Sequence, residues 1–272
     1  MAERPETTVR SRQARRRARA RRRVTALAVA LVVVGAGATA AWLLSRDEGQ
    51  AEVAASTTTT TTATTAAPPA FQPAITATTG VGEITAFDAP ADGAGVVATL
   101  EEYTEYAVRR TFLVIDRQPG WLQVLLPMRP NQATGWIRES DVTLGETDYE
   151  IVVELSTTTV TLFKAGELVL ETASGIGTEE TPTPPGQYYV TDPVDLTSEP
   201  NGAYGAYALG ISGYSEVLLE FNGGPGQIAI HGTTNPADLG QRVSNGCVRV
   251  LNETILEIAN QVPVGTPFTV VA

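Results

Sequence analysis

The chain has few of the side chains that bind metals or form disulfides, since its 272 residues include one histidine and one cysteine. A single thiol cannot form a disulfide within the chain. One histidine and one cysteine without clustered carboxylates nearby are too few ligands for a zinc site. The GGPG segment at residues 223–226 lacks the lysine and the following helix of a phosphate-binding loop. We therefore expect neither a metal nor a cofactor.

Positive charge is scarce outside residues 1–23. That basic arm holds ten Arg and two Glu, a net charge of +8, so the total of −11 leaves −19 for residues 24–272. Taken alone, the arm has the composition of a nucleic-acid-binding patch. Phosphate contacts need clustered Lys and Arg, which the acidic remainder does not provide. The charge distribution therefore excludes nucleic acid as a partner.

An uncharged run of 21 residues, 24–44, follows the arm directly. As a helix it is long enough to cross a bilayer, and Arg on its N-terminal side places the arm in the cytoplasm and the rest outside. A cleaved secretory signal is the alternative, because Ala38-Thr39-Ala40 resembles a cleavage site. The apolar run continues through Trp42 and Leu44, which favours a retained single-pass transmembrane helix in the cell membrane.

The remaining segments predict a mainly β protein. Residues 45–79 are rich in Thr, Ala and Pro and have no periodic apolar face, so we expect a linker there. Short alternating segments separated by Gly- and Pro-containing turns fill residues 80–145. Residues 148–272 continue the pattern, with one helix predicted over residues 252–261, where Asn252 is expected to cap the first turn.

Two tryptophans each follow a glycine, in Gly120-Trp121 and Gly135-Trp136. With the strands around them, residues 80–145 resemble bacterial SH3-like domains, which implies a small β-barrel. The tryptophans then serve either as packing in the barrel core or as contacts for peptidoglycan. Both alternatives stay open at this point.

The single His and Cys lie sixteen residues apart. His231 ends an apolar alternating run, and Cys247 lies within Ser244-Asn245-Gly246-Cys247-Val248-Arg249. A thiol with a pKa of about 8.5 is only a few per cent thiolate at neutral pH, and a neighbouring imidazole can accept its proton. If the two residues meet, the pattern favours nucleophilic acyl transfer. If they do not, each is an ordinary buried residue.

Three segments of this half resemble the L,D-transpeptidase catalytic domain of the YkuD type. They are TPTPPGQYY at residues 181–189, IAIHGT at 228–233 and SNGCVRV at 244–250. The resemblance implies a YkuD-type β-sandwich with one or two short helices over residues 148–272. It also implies that the enzyme cross-links peptidoglycan stem peptides at the cell wall, outside the membrane. The cross-links would be of the 3→3 kind, made through a cysteinyl thioester with release of D-Ala.

The resemblance also implies a role for each site residue. Cys247 is the nucleophile, His231 is the general base and then the general acid, and the carbonyl of Gly232 orients the imidazole. Ser244 belongs to the motif that binds substrate. The N–H groups of Asn245, Gly246 and Cys247 are the expected oxyanion donors. The family often has a second His at position 245, and its absence here leaves the backbone amides unaffected.

Three further residues near the motifs have open assignments. Arg249 is expected either to bind a substrate carboxylate or to brace the loop, with its positive charge favouring the thiolate. Tyr204 and Tyr207 are either part of a flap over the site or ordinary loop aromatics.

Three other functions share some features of this sequence. A sortase-like cysteine transpeptidase uses His, Cys and Arg in the same order, but the gaps of sixteen and two residues disfavour it. A papain-like wall hydrolase needs a His after its Cys, and none follows Cys247. A catalytically silent peptidoglycan-binding scaffold is compatible with the composition, although both motif centres being intact argues against it.

Overall fold

The computed structural model describes residues 71–272, and strands dominate them. The predicted mainly β fold class is therefore confirmed for this part. The predicted cytoplasmic arm, the transmembrane helix at 24–44 and most of the linker lie outside the described residues. Between residues 71 and 272, no helix has both the length and the apolar character needed to cross a membrane.

Seven strands form the first sheet: β1 (Ala74–Thr79), β2 (Glu83–Phe87), β3 (Val96–Glu101), β4 (Thr111–Gln118), β5 (Trp121–Leu125), β6 (Thr134–Arg138) and β7 (Val142–Thr147). Their order is β3-β2-β6-β5-β4-β1-β7, and every neighbouring pair is antiparallel. The inward side chains form one apolar core that includes Ile84, Phe112, Leu122, Val124 and Ile137.

Strand β1 lies where the sequence analysis expected a linker. It pairs over its whole length with β7 and also with β4, so it is an interior strand of the first sheet. Its Ala77 is fully buried. The Thr-rich composition concealed a strand, because Thr and Ile are β-branched and fit a pleated, half-buried surface. The first sheet therefore spans residues 74–147 rather than 80–145.

The structure buries both tryptophans of the first sheet. Trp121 meets the ring of Phe87 edge to face at a centroid distance of 5.7 Å. The guanidinium of Arg138 lies 4.7 Å from the Trp121 ring centroid on another side. These contacts agree with the packing alternative for Trp121 and leave little of its surface for a ligand.

Eight strands form the second sheet: β8 (Tyr149–Glu154), β9 (Thr159–Lys164), β10 (Glu167–Ala173), β12 (Gly186–Asp195), β13 (Tyr207–Tyr214), β14 (Gln227–Thr233), β16 (Val248–Leu251) and β17 (Pro267–Val271). Their order is β10-β9-β8-β17-β12-β13-β14-β16. The pairs β14–β16 and β17–β8 are parallel. A separate parallel pair consists of β11 (Ile176–Gly177) and β15 (Arg242–Ser244).

One core joins both halves of the second sheet. Fully buried side chains come from β8 and β9 at one end, such as Ile151 and Leu162, and from β14 and β16 at the other, such as Ile230 and Val248. The sheet therefore encloses a single apolar cluster between its halves, as a sandwich-like arrangement requires.

The predicted helix exists as α1 (Asn252–Ala259), and it buries Ile255 and Ile258 against this core. The predicted capping role of Asn252 is wrong, because Leu251 is the N-cap residue and makes no side-chain cap. The Asn252 side chain instead accepts a hydrogen bond from the Ala206 amide (2.9 Å) and donates one to a neighbouring backbone carbonyl. Asn252 therefore fixes the segment that leads into β13.

Arg129, in the connection between β5 and β6, joins the first sheet to the segment that follows β13. Its guanidinium donates to the carbonyl oxygens of Ser215 (2.9 and 3.2 Å), Leu218 (3.2 Å) and Pro225 (2.9 Å). Tyr189 of β12 also packs into the core of the first sheet. The first sheet thus holds the 215–225 segment, which borders the candidate site.

Candidate active site

Parallel pairing of β14 with β16 brings the two sequence motifs together. In this register Ile230 lies beside Val248, and His231 lies beside Arg249. One residue earlier, the same register places Cys247 beside Ala229. The motifs are therefore neighbours in the sheet, although fifteen residues separate His231 from Cys247 along the chain.

His231 and Cys247 lie on the same face of the second sheet. Ile230 and Val248 point into the core, and side chains alternate along a strand. The residues on either side of them therefore project from the opposite face. Cys247 is offset from His231 by two residues along the strand, about 6.6 Å, and by one strand across the sheet, about 4.8 Å. Together these offsets give a separation of about 8 Å between the two Cα atoms.

The imidazole of His231 is held in one orientation. It is buried, with 2% of its surface exposed. Its Nδ1 lies 2.9 Å from the carbonyl oxygen of Gly232. A carbonyl only accepts, so Nδ1 carries the proton and Nε2 keeps its lone pair. The ring of Tyr204 covers the imidazole edge to face at 5.1 Å.

Burial lowers the pKa of His231 from its ordinary value of 6.5 to about 4, and the positive charge of Arg249 acts in the same direction. Hydrogen bonds to the Gly232 and Tyr204 carbonyls and the charge of Asp238 oppose this shift without reversing it. The imidazole is therefore neutral at pH 7, the form in which it accepts a proton.

Burial also raises the pKa of the Cys247 thiol above its ordinary value. The Ala229 amide and the Arg249 guanidinium favour the thiolate, as expected for Arg249, but burial outweighs both. The resting site is therefore a neutral imidazole with a protonated thiol. Attack by sulfur from this state requires the proton to leave as the new bond forms.

The turn that presents Cys247 is fixed by hydrogen bonds from its own motif. The hydroxyl of Ser244 donates to the carbonyl of Cys247 and accepts from the Gly246 amide at 3.1 Å. The buried hydroxyl of Thr183 donates to the Gly246 carbonyl at 2.8 Å. The Gly246 amide, one of the expected oxyanion donors, thus already donates to Ser244 in this structure. Ser244 itself is a buried brace of the turn.

Gly246 is needed for the shape of this turn. Its φ is +115°, a value that L-residues rarely adopt. A Cβ at this position would come within 2.9 Å of Ile228 Cδ1, which belongs to the core. Asn245 is exposed beside it.

Arg249 braces a loop in this structure. Its Nη1 donates to Asp238 Oδ2 at 3.0 Å. Asp238 in turn accepts hydrogen bonds from Thr233 (3.2 Å) and Asn235 (2.8 Å). The guanidinium thus joins β16 to the loop after β14. Of the two alternatives for Arg249, the geometry favours bracing.

Cys247 opens into a cavity of about 510 Å³. One wall is the segment 221–224, and Tyr204 contributes another part of the lining. Tyr207 instead packs against the core of the second sheet. Of the two tyrosines considered for a flap, only Tyr204 therefore lies at the site.

Sequence reasoning missed three residues that shape the site. Thr183 lies within the TPTPPGQYY segment but received no role. Asp238 follows Asn235-Pro236, a turn-forming pair that marks a capped 3-10 turn. Asp192 of β12 lines the same cavity as Cys247, and no local pattern marks it, because 55 residues separate the two along the chain.

Comparisons with known proteins find one matching family model and several similar sequences and structures. Residues 148–270 match the model of the YkuD family, the L,D-transpeptidase catalytic domain. The chain is 33% identical to YkuD of Bacillus subtilis (strain 168) over 122 residues, 45% of this chain and 65% of that protein. It is 35% identical to YkuD of Bacillus licheniformis over 118 residues, 43% of this chain and 62% of that protein.

Among solved structures, the protein Bd1075 of Bdellovibrio bacteriovorus is 26% identical, with a TM-score of 0.37, over 45% of this chain and 47% of that one. The chain spans slightly less than two thirds of the length of the two Bacillus relatives. The family model covers residues 148–270, slightly less than half of this chain.

Proposed function

We propose that the protein is a peptidoglycan L,D-transpeptidase that forms 3→3 cross-links between stem peptides. The observation that carries the proposal is the β14–β16 register, which brings the only thiol and the only imidazole of the chain to one face beside a cavity. The family match over residues 148–270 supports peptidoglycan stem peptides as the substrates of this acyl transfer.

In the proposed first step, Cys247 Sγ attacks the carbonyl carbon between the third and fourth residues of a tetrapeptide stem. His231 Nε2 takes the thiol proton as the carbon–sulfur bond forms. The tetrahedral oxyanion then collapses, the peptide bond breaks, and His231 returns the proton to the departing amine of D-Ala. The enzyme is left as a thioester with a neutral imidazole.

In the second step, the side-chain amine of a diamino acid on another stem attacks the thioester. His231 accepts a proton from the amine and returns it to sulfur, which restores the thiol and leaves an amide cross-link. The amides of Asn245 and Cys247 are the proposed oxyanion donors, each such donor being worth about 3 kcal/mol of transition-state stabilisation. The hydrogen bond that His231 Nδ1 donates to the Gly232 carbonyl keeps the tautomer that both steps use.

We also propose the arrangement of the remaining segments. Residues 24–44 anchor the chain in the cell membrane as a single transmembrane helix, with residues 1–23 in the cytoplasm. The catalytic domain then works at the cell wall, at the end of the linker. The first sheet is proposed to be an SH3-like domain. Its antiparallel strands and separate core agree with that assignment.

The test is incubation of the protein with a disaccharide-tetrapeptide, followed by mass spectrometry. We expect a stem thioester on Cys247, free D-Ala and a cross-linked dimer, and none of these with Cys247→Ser. D-Ala without a dimer would mean that water is the acceptor and would overturn the transpeptidase assignment. Neither adduct nor D-Ala, with wall binding intact in both proteins, would favour the silent scaffold.

A further inference from the structure

A row of four residues crosses the second sheet and ends at the thiol. Asp192 of β12 lies beside Gly210 of β13, and Gly210 lies beside Ala229 of β14. The β14–β16 register extends the row to Cys247. Three strand spacings give about 14 Å between the first and last Cα atoms. All four residues line the cavity, so the two small ones form the floor of a trough with Cys247 at one end and Asp192 at the other.

A β-bulge places Asp192 on the trough side of the sheet. Val190 points into the core, and residues two apart on a regular strand share a face. The register of β12 against β13 shifts between Val190 and Asp192. A bulge of this kind re-aims the next side chain. Gly210 leaves space for it, because a Cβ there would lie 3.2 Å from the Asp192 Cβ and 3.4 Å from Oδ2.

The Asp192 carboxylate is buried, and one of its two oxygens accepts no hydrogen bond. The residue is 3% exposed. Its Oδ2 accepts a hydrogen bond from Gln227 at 3.1 Å. Its Oδ1 has no hydrogen-bond partner among residues 71–272. Buried carboxylate oxygens without a donor are uncommon, because the lost hydration is not replaced. The carboxylate at this end of the trough therefore lacks one hydrogen-bond donor, and a cation nearby would compensate for its buried charge.

A second carboxylate reaches the trough from the first sheet. Glu105 and Tyr106, in the turn between β3 and β4, are part of the cavity lining. A backbone hydrogen bond from Thr104 to Val108 (2.8 Å) closes this turn. No lysine or arginine is among the residues that line the cavity. The lining of the trough therefore contains two acidic side chains and no basic one, and Arg110 lines the adjoining cavity that shares Glu105 and Asp192.

We propose that Asp192 and Glu105 form a subsite for a primary ammonium group, namely the side-chain ammonium of the diamino acid in the donor stem. This inference rests on the proposed function. With the scissile carbonyl at Cys247, an extended diamino-acid side chain fits within the length of the trough. Direct contact with both carboxylates is not required, because Coulomb attraction acts over several ångströms where water is partly excluded. The first sheet is then part of the donor site through Glu105.

The test measures binding to the full chain carrying Cys247→Ala, so that no turnover occurs. The two probes are a stem tetrapeptide with a free diamino-acid side chain at its third position and the same peptide with that amine acetylated. We expect calorimetry to give at least about tenfold tighter binding of the free-amine peptide. Adding Asp192→Asn should remove most of this preference, and adding Glu105→Gln should reduce it about threefold. Glu167→Gln, an exposed carboxylate on the distant edge strand β10, is the matched control and should change nothing.

Equal affinity for the two peptides would overturn the subsite, as would acidic-residue variants that weaken both peptides alike. Glu105 is exposed, so its variant gives a result even if Asp192→Asn disturbs folding. A preference for the free amine with no acylation by the unmodified protein would overturn the proposed function while supporting the subsite. Acylation of the unmodified protein with no preference for the free-amine peptide would support the proposed function and overturn the subsite.

Discussion

Acidification should destabilise this protein through His231. The unfolded chain has an ordinary histidine with a pKa of 6.5, and burial lowers the folded value to about 4. At pH values between these two pKa values, His231 is protonated in the unfolded chain but not in the folded protein. The contribution of His231 to stability is therefore fully present above pH 6.5 and is lost as the pH falls towards 4. Each pKa unit is worth about 1.36 kcal/mol, so the complete loss is about 3 kcal/mol.

The assay is urea unfolding at pH 7.5 and at pH 4.5, for the unmodified protein and for His231→Gln. The glutamine amide can still donate to the Gly232 carbonyl, but it does not titrate. Carboxylates titrate in both proteins, so the difference between the two pH-dependent losses isolates the imidazole. We expect the unmodified protein to lose about 2.5 kcal/mol more than the variant at pH 4.5.

Equal losses in the two proteins, within about 0.5 kcal/mol, would refute this reasoning. That result would mean that the imidazole accepts a proton in the folded state without penalty. It would also remove the basis for describing the resting site as a neutral imidazole beside a protonated thiol.

Two substitutions test how the site is held. Gly246→Ala should lower the free energy of unfolding by about 1–3 kcal/mol, because φ is +115° and the new Cβ would crowd Ile228; urea unfolding that matches the unmodified protein would contradict the strained turn. Arg129→Lys keeps the charge but cannot reach the carbonyls of Ser215, Leu218 and Pro225 together. We expect faster proteolysis in the 215–225 segment and a loss of about 1–3 kcal/mol in the free energy of unfolding. An unchanged cleavage pattern would mean that the Arg129 hydrogen bonds do not hold the segment.

The burial of the site changes how its chemistry should be described. A lone thiol near a histidine suggests a thiolate stabilised by a nearby positive charge. Here burial dominates both groups and keeps them neutral. In the proposed mechanism the proton therefore moves from Cys247 to His231 during the attack, and the orientation of Nε2 becomes more important than a preformed charge.

The sequence alone determined the class of the fold and limited the candidates for the reacting groups to one thiol and one imidazole. Alternation of apolar residues specifies strands, because the period of two is a local property of the chain. The identities of Cys247 and His231 were equally clear, since the chain has no other thiol or imidazole. Composition misled at β1, where a Thr-rich stretch looked like linker and was an interior strand, because strand pairing depends on residues far away.

Only the tertiary structure decided how the side chains around the reacting groups are used. The Gly246 amide is taken by Ser244, Arg249 pairs with Asp238, and the Asn252 side chain holds a distant amide instead of capping its helix. Local patterns cannot fix these partners, because each depends on register and on which residues the fold brings within hydrogen-bond distance. The Asp192 carboxylate is the clearest case: a one-residue bulge turned it from the core towards the trough that ends at the thiol.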